Sequence, residues 1–426
     1  MSWQWEMFVE HDYSTHHPLL HTWLSGTLLK LGNQYFGSYN AGLALICLLQ
    51  LLFLAGCAAF AMNYLRKTGL PRLPRLLALL FYLFFPFHAV LGISTTKDTC
   101  FGGLFLVVFV CVCDMVRSHT IYRGWRLAAF LAVAVLMALF RNNASYGLAL
   151  TALCALSVFL LRLMTRKREW FLLHISLLFL IIILAGSALN GVMKRALDAQ
   201  SGSVVEMLGV PIQQLARTYV SHAEELPEED KEALYSYIPE TALWNYKYYI
   251  VDPVKSRMDT QPVDENTKDF LRLWLRIGRQ YPGEYLLAAL YNTMGIWALG
   301  GDSSCSVVYD MREFYDETHT LTSHSLLPVL QRYYRWFNNE NLQNHLPFVS
   351  MVFYTPTYVW CVILGAAALI CKRRYYELLL PAMLGGYILT LAFGPCIMIR
   401  YLFNIILCTP VLLAAVWCGQ PVQSVR

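Results

Sequence analysis

The chain has 426 residues, of which 57% are hydrophobic and only 14% charged, with a mean hydropathy of +0.44. Such values exclude an ordinary soluble domain and point to a membrane protein. The net charge of +5 is the sum of basic short loops and an acidic central segment, so it gives no support for a nucleic-acid partner.

Residues 1–39 form a polar segment that carries Asp12-Tyr13-Ser14-Thr15-His16-His17-Pro18 ahead of an amphipathic helix with Leu19, Leu20, Trp23, Leu24, Leu28 and Leu31. Pro18 suits the first helical position, and Ser14 or Thr15 is placed to cap the end. His17 and His21 are four apart, a spacing that can hold zinc. No glutamate follows the first histidine as in metalloproteases, and no third ligand is evident. Anion binding or backbone capping is the more common role of histidines at a helix start, and a phosphate there would meet the helix dipole.

About nine apolar runs follow, at 40–64, 75–93, 98–116, 126–141, 144–162, 170–190, 347–371, 376–394 and 397–418. A membrane-spanning helix needs about 20 residues. Several runs are shorter and rely on aromatic ends such as Tyr82 and Phe85. The runs lack the polar stripes at helical spacing that buried helices of a soluble protein would show. The expected fold is therefore all-α: a polytopic protein of about nine transmembrane helices with one large helical domain outside the membrane.

Orientation follows from the positive-inside rule. Arg66, Lys67, Arg72 and Arg75 lie between runs one and two, and Arg117, Arg123 and Arg126 between three and four. Arg162, Arg166, Lys167 and Arg168 lie between five and six, and Lys372, Arg373 and Arg374 between seven and eight. The alternate short loops hold only Lys97, Arg141 and Arg400. The basic side is expected to be cytoplasmic and the protein to lie in the cell membrane. Residues 1–39, the loop at Lys97-Asp98, the segment 191–346 and the loop near Arg400 would then face outward. Residues 40–190 hold the first six spans, and 347–426 the last three with a short cytoplasmic tail. No span precedes residue 39 to carry the outward segment across, so one more helix is expected ahead of Met1.

Segment 191–346 contains 21 of the 28 acidic residues but only 14 of the 33 basic ones. It reads as helical, over Pro211 to Val220, from Pro227-Glu228-Glu229-Asp230, and over Glu265 to Tyr281. Tyr235, Tyr237, Trp244, Tyr246, Tyr248 and Tyr249 make it aromatic, as the core of a helical cap or as an acceptor-binding lid would be. Of the 12 cysteines most lie in the apolar runs and only Cys305 lies well inside this segment, so no disulfide framework is expected.

Candidate chemistry gathers at the outward loops. Asp98, in Ser94-Thr95-Thr96-Lys97-Asp98-Thr99, is placed to cap the third span, or with Lys97 to hold a metal and a diphosphate. Arg400-Tyr401 stands a few residues inside the last run, where an arginine costs a few kcal/mol unless it is paired or snorkels to the surface. Arg141-Asn142-Asn143, at the outer end of run four, is a weaker instance of the same feature.

The segment from Tyr13 to Thr22, Lys97-Asp98, Pro211 to Arg217, Asp252-Pro253-Val254-Lys255 and Arg400-Tyr401 resemble, across nearly the whole chain, the GT-C superfamily of integral-membrane glycosyltransferases. The set is most similar to bacterial polytopic membrane proteins of uncharacterised activity grouped near it. The resemblance implies transfer of a sugar from a polyprenyl-phosphate donor to an acceptor at the outer surface. It implies an acidic residue of the first outer loop as base, with a divalent metal, Mg or Mn, in some members. In such enzymes that acid directly follows the first helix, a place that here falls at or before Met1, so either Glu6 or Asp12 substitutes or the base is missing together with that helix. Asp98 would assist with the metal or acceptor. His16, His17, Lys97, Arg400 and Tyr401 would bind the donor phosphate. The partners are then a polyprenyl-phosphate-linked sugar and the lipid bilayer. A transporter or flippase of a lipid-linked precursor and a non-catalytic relative are the alternative classes.

Overall fold

The computed structural model describes residues 2–141, 143–166, 169–299, 327–340 and 349–418. Asn142, Lys167, Arg168, Cys305, the rest of 300–326, and 341–348 lie outside the described residues, as does the end of the expected cytoplasmic tail.

Two helices make up the polar first segment, α1 (Ser2–Glu10) and α2 (Leu19–Phe36). Pro18 stands at the cap position of α2 rather than inside it. Ser14 and Thr15 do not cap it: Ser14 Oγ accepts from the His16 amide at 3.2 Å, and Thr15 Oγ1 from the Gly202 amide at 2.9 Å. The apolar runs then fold as α3 (Tyr39–Lys67), α4 (Arg72–Phe84), α5 (Pro86–Ile93), α6 (Lys97–Ser118), α7 (Trp125–Phe140), α8 (Asn143–Met164) and α9 (Trp170–Ala196). The second expected span is broken between α4 and α5, where Pro86 lacks the N–H that would continue the ladder.

Longer helices follow in the cap, α10 (Gly209–His222), α11 (Glu228–Tyr235), α12 (Thr267–Gln280) and α13 (Pro282–Asn292), linked by short turns, and a further helix covers Pro328–Glu340. The last apolar helices are α14 (Thr355–Cys371), α15 (Leu379–Leu391) and α16 (Phe403–Trp417). Among the described residues there is no strand, only isolated bridges.

Among the described residues six helical stretches are long and apolar enough to cross a membrane: Tyr39–Lys67, Arg72–Ile93, Lys97–Ser118, Asn143–Met164, Trp170–Ala196 and Ile399–Trp417. The other three expected spans are shorter, Trp125–Phe140, Thr355–Cys371 and Tyr375–Leu391. A 16-residue helix is about 24 Å long, below the roughly 30 Å of the hydrocarbon core. The chain is thus a polytopic helical membrane protein.

The bundle has an axis. The apolar windows of α6 and of Ile399–Trp417 are 78% and 72% buried, against 22–39% for the other four. Gly102 lets the two axial helices touch, since a Cβ there would stand 2.7 Å from the Phe403 ring. The outer helices turn Leu52, Leu77, Leu161 and Leu184 toward the lipid, as expected where hydrocarbon replaces water.

Most of the basic loops meet at one end of this bundle. Arg117 lies against the Tyr64 hydroxyl, and the His119 ring is 4.6 Å from that of Tyr376. Arg374 pairs with Glu377 and donates to the Val416 and Ala415 carbonyls at 2.9 and 2.7 Å. The negative end of the α16 dipole is thereby neutralised. The eleven described cysteines are all free.

The cap has its own core of Leu215, Tyr219, Ile238, Phe270, Leu273 and Ile277. Its helices match the expected ones to within two residues, except that Gln261–Glu265 is a separate turn before α12. Two seams join the cap to the rest. Thr15 donates to Gln200 O at 2.9 Å and Gln200 to Tyr13 O at 2.7 Å. At the other seam, Val251 N donates to Pro395 O at 3.0 Å and Asn292 Nδ2 to Gly394 O at 3.1 Å, just ahead of Arg400.

Candidate functional site

At the end of the bundle opposite the basic loops, four helix N-termini come together: those of α2, α6, α8 and the turn leading into α16. Thr96 caps α6, its Oγ1 accepting from the Asp98 amide at 3.2 Å and donating to Asp98 Oδ2 at 2.9 Å. Asp98 therefore does not cap the helix. It is 2% exposed, and its Oδ1 is paired with Arg141.

Arg141 occupies the extended turn between α7 and α8 and is itself buried. Its guanidinium lies 4.7 Å from the Tyr401 ring centre, 5.8 Å from Phe101 and 5.9 Å from Tyr387. Cation–π contact and one carboxylate thus offset the desolvation of an arginine at the membrane boundary.

Arg400 and Tyr401 are not inside the last helix but on the tight turn Ile399–Leu402 that enters it. Arg400 Nε is 4.0 Å from Asp98 Oδ2, and its Nη2 donates to the Tyr401 hydroxyl at 3.0 Å. The Tyr401 ring lies between two guanidiniums, with Arg400 at 4.9 Å. Tyr387 holds that turn by donating to Tyr401 O at 3.0 Å. The Arg400 side chain remains 46% exposed.

Lys97 is half-buried and feels the charges of Asp98, Arg141 and Arg400. Among the described residues the group therefore sets three cations against one carboxylate and leaves two positive charges uncompensated, where helix dipoles add more positive potential. Four of the expected site residues, Lys97, Asp98, Arg400 and Tyr401, are brought together here.

The histidines stand beside this cradle. The His17 imidazole is pushed down to about 3, first by burial and then by Lys97 and His16. Burial and Lys97 likewise push His21 down to about 4; its Nδ1 is 3.0 Å from Gln4 Nε2 and its ring 6.2 Å from that of Phe140. Both are neutral near pH 7, so His17 can offer a phosphate a neutral N–H but no charge. His16 turns to the cap, its Nδ1 3.8 Å from Glu206 Oε1, while Glu206 Oε2 pairs with Lys255 at 2.7 Å.

Asp12 and Glu6 do not join the cradle. Asp12 is exposed and accepts from Gln200 Nε2 at 3.1 Å, while Glu6 is exposed on α1. A divalent cation takes several oxygen ligands, and the cradle offers one carboxylate already held by an arginine and a threonine. Among the described residues no three His, Cys, Asp or Glu side chains gather as metal ligands. The donor set suits an anion instead.

Arg141 is the residue that sequence reasoning underrated. Its signal was the one that marked Arg400, an arginine at the end of an apolar run. What the sequence could not supply was its partner, 43 residues earlier.

Residues 11–425 match a family described as a family of unknown function, DUF6020, and the chain belongs to it. No curated protein and no solved structure matches the chain.

Proposed function

We propose that this DUF6020 protein is a membrane glycosyltransferase that takes a sugar from a polyprenyl-phosphate donor at the outer face of the cell membrane. The observation that carries the reading is the charge of the cradle, two uncompensated cations at the membrane boundary.

A polyprenyl-phosphate sugar is a phosphodiester with one negative charge. In the transfer, the acceptor hydroxyl oxygen bonds to the anomeric carbon, and the bond from that carbon to the phosphate oxygen breaks. Its electron pair stays on the phosphate, whose charge rises toward two. Lys97, Arg141 and Arg400 would stabilise that developing charge more than the starting ester, which is the differential binding that accelerates a reaction. Asp98 orients the arginines. The hydroxyl proton goes to a carboxylate without a cation on it; Asp12, four residues before His16 and bonded to the neutral Gln200 amide, is the one assigned, with Glu6 on α1 as the alternative.

The positive-inside rule supports an outward cradle, because most of the basic loops gather at the opposite end. Nine spans complete the reading, the three short helices crossing where flanking aromatics and arginines reach the interface. Membrane vesicles from cells with and without the chain, given polyprenyl phosphate carrying radiolabelled glucose, mannose or arabinose, test it. Label should leave the lipid for an acceptor only with the intact chain, and an Asp12→Asn variant should fall by about 10²–10⁴-fold. Label that stays on the lipid in both membranes contradicts it.

A further inference from the structure

The cap holds a second group of side chains that neither its core nor the cradle uses. Gln213 and Arg217 lie one turn apart on α10. Gln213 is 1% exposed; its Nε2 donates to Lys247 O at 2.5 Å, but its Oε1 has no hydrogen-bond partner. Asn292, at the end of α13, is 3% exposed and donates to Gly394, while its Oδ1 likewise has none. The Tyr246 hydroxyl is buried against the Arg217 guanidinium and interacts with it. Among the described residues two buried amide oxygens on helices that pack together, α10 and α13, thus lack partners, which is unusual because a buried group left unpaired is costly.

Tyrosine rings lie beside Arg217. The Arg217 guanidinium lies 5.1 Å from the Tyr291 ring centre, and Tyr248 meets Tyr291 edge-on at 5.7 Å and Tyr249 at 5.1 Å. Tyr291 is 37% exposed. Arg217 is kept in place by Glu284, 2.7 Å away. Amide oxygens seeking partners near a partly open aromatic ring match a polyhydroxylated ligand. The hydroxyls fill the polar sites, and the C–H face of a pyranose covers a ring.

The position is next to the cradle. Ile250, which follows Tyr249, is bridged to Cys396, and Asn292, which follows Tyr291, bonds to Gly394. Four residues separate Cys396 from Arg400, a reach of at most about 14 Å.

We propose that Gln213, Arg217, Tyr246 and Asn292, with the rings of Tyr248 and Tyr291, form a saccharide-binding subsite in the cap that holds the sugar acceptor. The assignment of the saccharide as acceptor rests on the transfer reading above; the subsite itself does not. A sugar held here presents a hydroxyl toward the phosphate cradle.

The test uses the full chain in lipid nanodiscs and two probes, chitotetraose and maltotetraose, followed by saturation-transfer NMR. At least one should bind in the millimolar range. Tyr291→Ala and Asn292→Leu should each weaken it by roughly tenfold, with Tyr291→Phe, which keeps the ring, close to wild type. Circular dichroism and thermal melting verify that the variants fold; should Tyr291→Ala fail, Tyr248→Ala removes a ring and Asn292→Asp the amide, and each should weaken binding. Failure of both saccharides to bind, or equal binding by folded Tyr291→Ala and Asn292→Leu, overturns the subsite. Inorganic phosphate titrated in parallel reports on the cradle alone. Phosphate binding without saccharide binding overturns only the subsite, and the reverse overturns only the transfer reading.

Discussion

Asp98, in the first turn of α6, and Arg141, between α7 and α8, form a buried ion pair beside the Tyr401 and Tyr387 rings. Each charge alone would be expensive at this depth. Together they tie the central helix to its neighbours and set the direction in which Arg141 faces the cradle. Removing one partner of such a pair typically costs about 3–5 kcal/mol, while replacing both by apolar groups is close to neutral.

Arg141→Met should therefore lower the unfolding free energy by about 3–5 kcal/mol, and the double variant Arg141→Met, Asp98→Leu should recover most of the loss. Thermal unfolding in nanodiscs measures both. An Arg141→Met protein that melts like wild type would show that the pair does not hold the bundle.

Asp98→Asn should separate the roles of the cradle. The substitution removes the one anion facing Lys97, Arg141 and Arg400, so inorganic phosphate should bind more tightly at low ionic strength even as Tm falls. Added salt should weaken phosphate binding in both proteins, because Arg400 is half-exposed and screened. Weaker phosphate binding by Asp98→Asn would mean that the carboxylate itself contributes to the ligand site.

Much of this architecture was legible in the sequence. Among the described residues hydropathy located the six helical stretches long enough to span and three shorter apolar ones, because lipid-facing helices must be apolar around most of their surface. Their ends were less legible. Run seven was expected from 347, which lies outside the described residues; its described part opens with a short helix, Val349–Phe353, that breaks at Tyr354 ahead of α14, where Pro356 favours a new helix start. Run nine was expected from 397, yet its first residues form the tight turn that carries Arg400. Lys97, Asp98 and Arg400 stood out as charges beside apolar runs. The cap's unfilled amides did not, because Gln213 and Asn292 look like surface residues until α10 and α13 are packed together.

The two depressed histidines make stability depend on pH. His17 and His21 titrate near 3 and 4 in the fold against 6.5 when free. Between those values the unfolded chain binds more protons than the folded one, so stability rises with pH. The protein should hold full stability above about pH 6.5 and lose it progressively toward pH 4. His21→Gln should flatten part of that slope in melts taken from pH 7 to pH 4.5. An unchanged slope in His21→Gln would show that its burial is not what disfavours its protonation.

Orientation is open to direct labelling. A cysteine at Glu228 in the cap should react with a membrane-impermeant maleimide in intact cells, and one at Arg66 only after lysis. Labelling in the reverse pattern would put the cradle on the cytoplasmic side and remove the basis for an outer-face donor.

The phosphate cradle is most directly tested by titrating a short-chain polyprenyl phosphate, with the matching polyprenol as control, into wild-type, Arg400→Lys and Arg400→Ala proteins in nanodiscs. The phosphate should bind much more tightly than the alcohol. Affinity should fall about tenfold in Arg400→Lys, which loses the guanidinium fork, and further in Arg400→Ala. Equal affinity of all three proteins for the phosphate, or equal affinity of the wild type for phosphate and alcohol, would contradict a phosphate site at this end of the bundle.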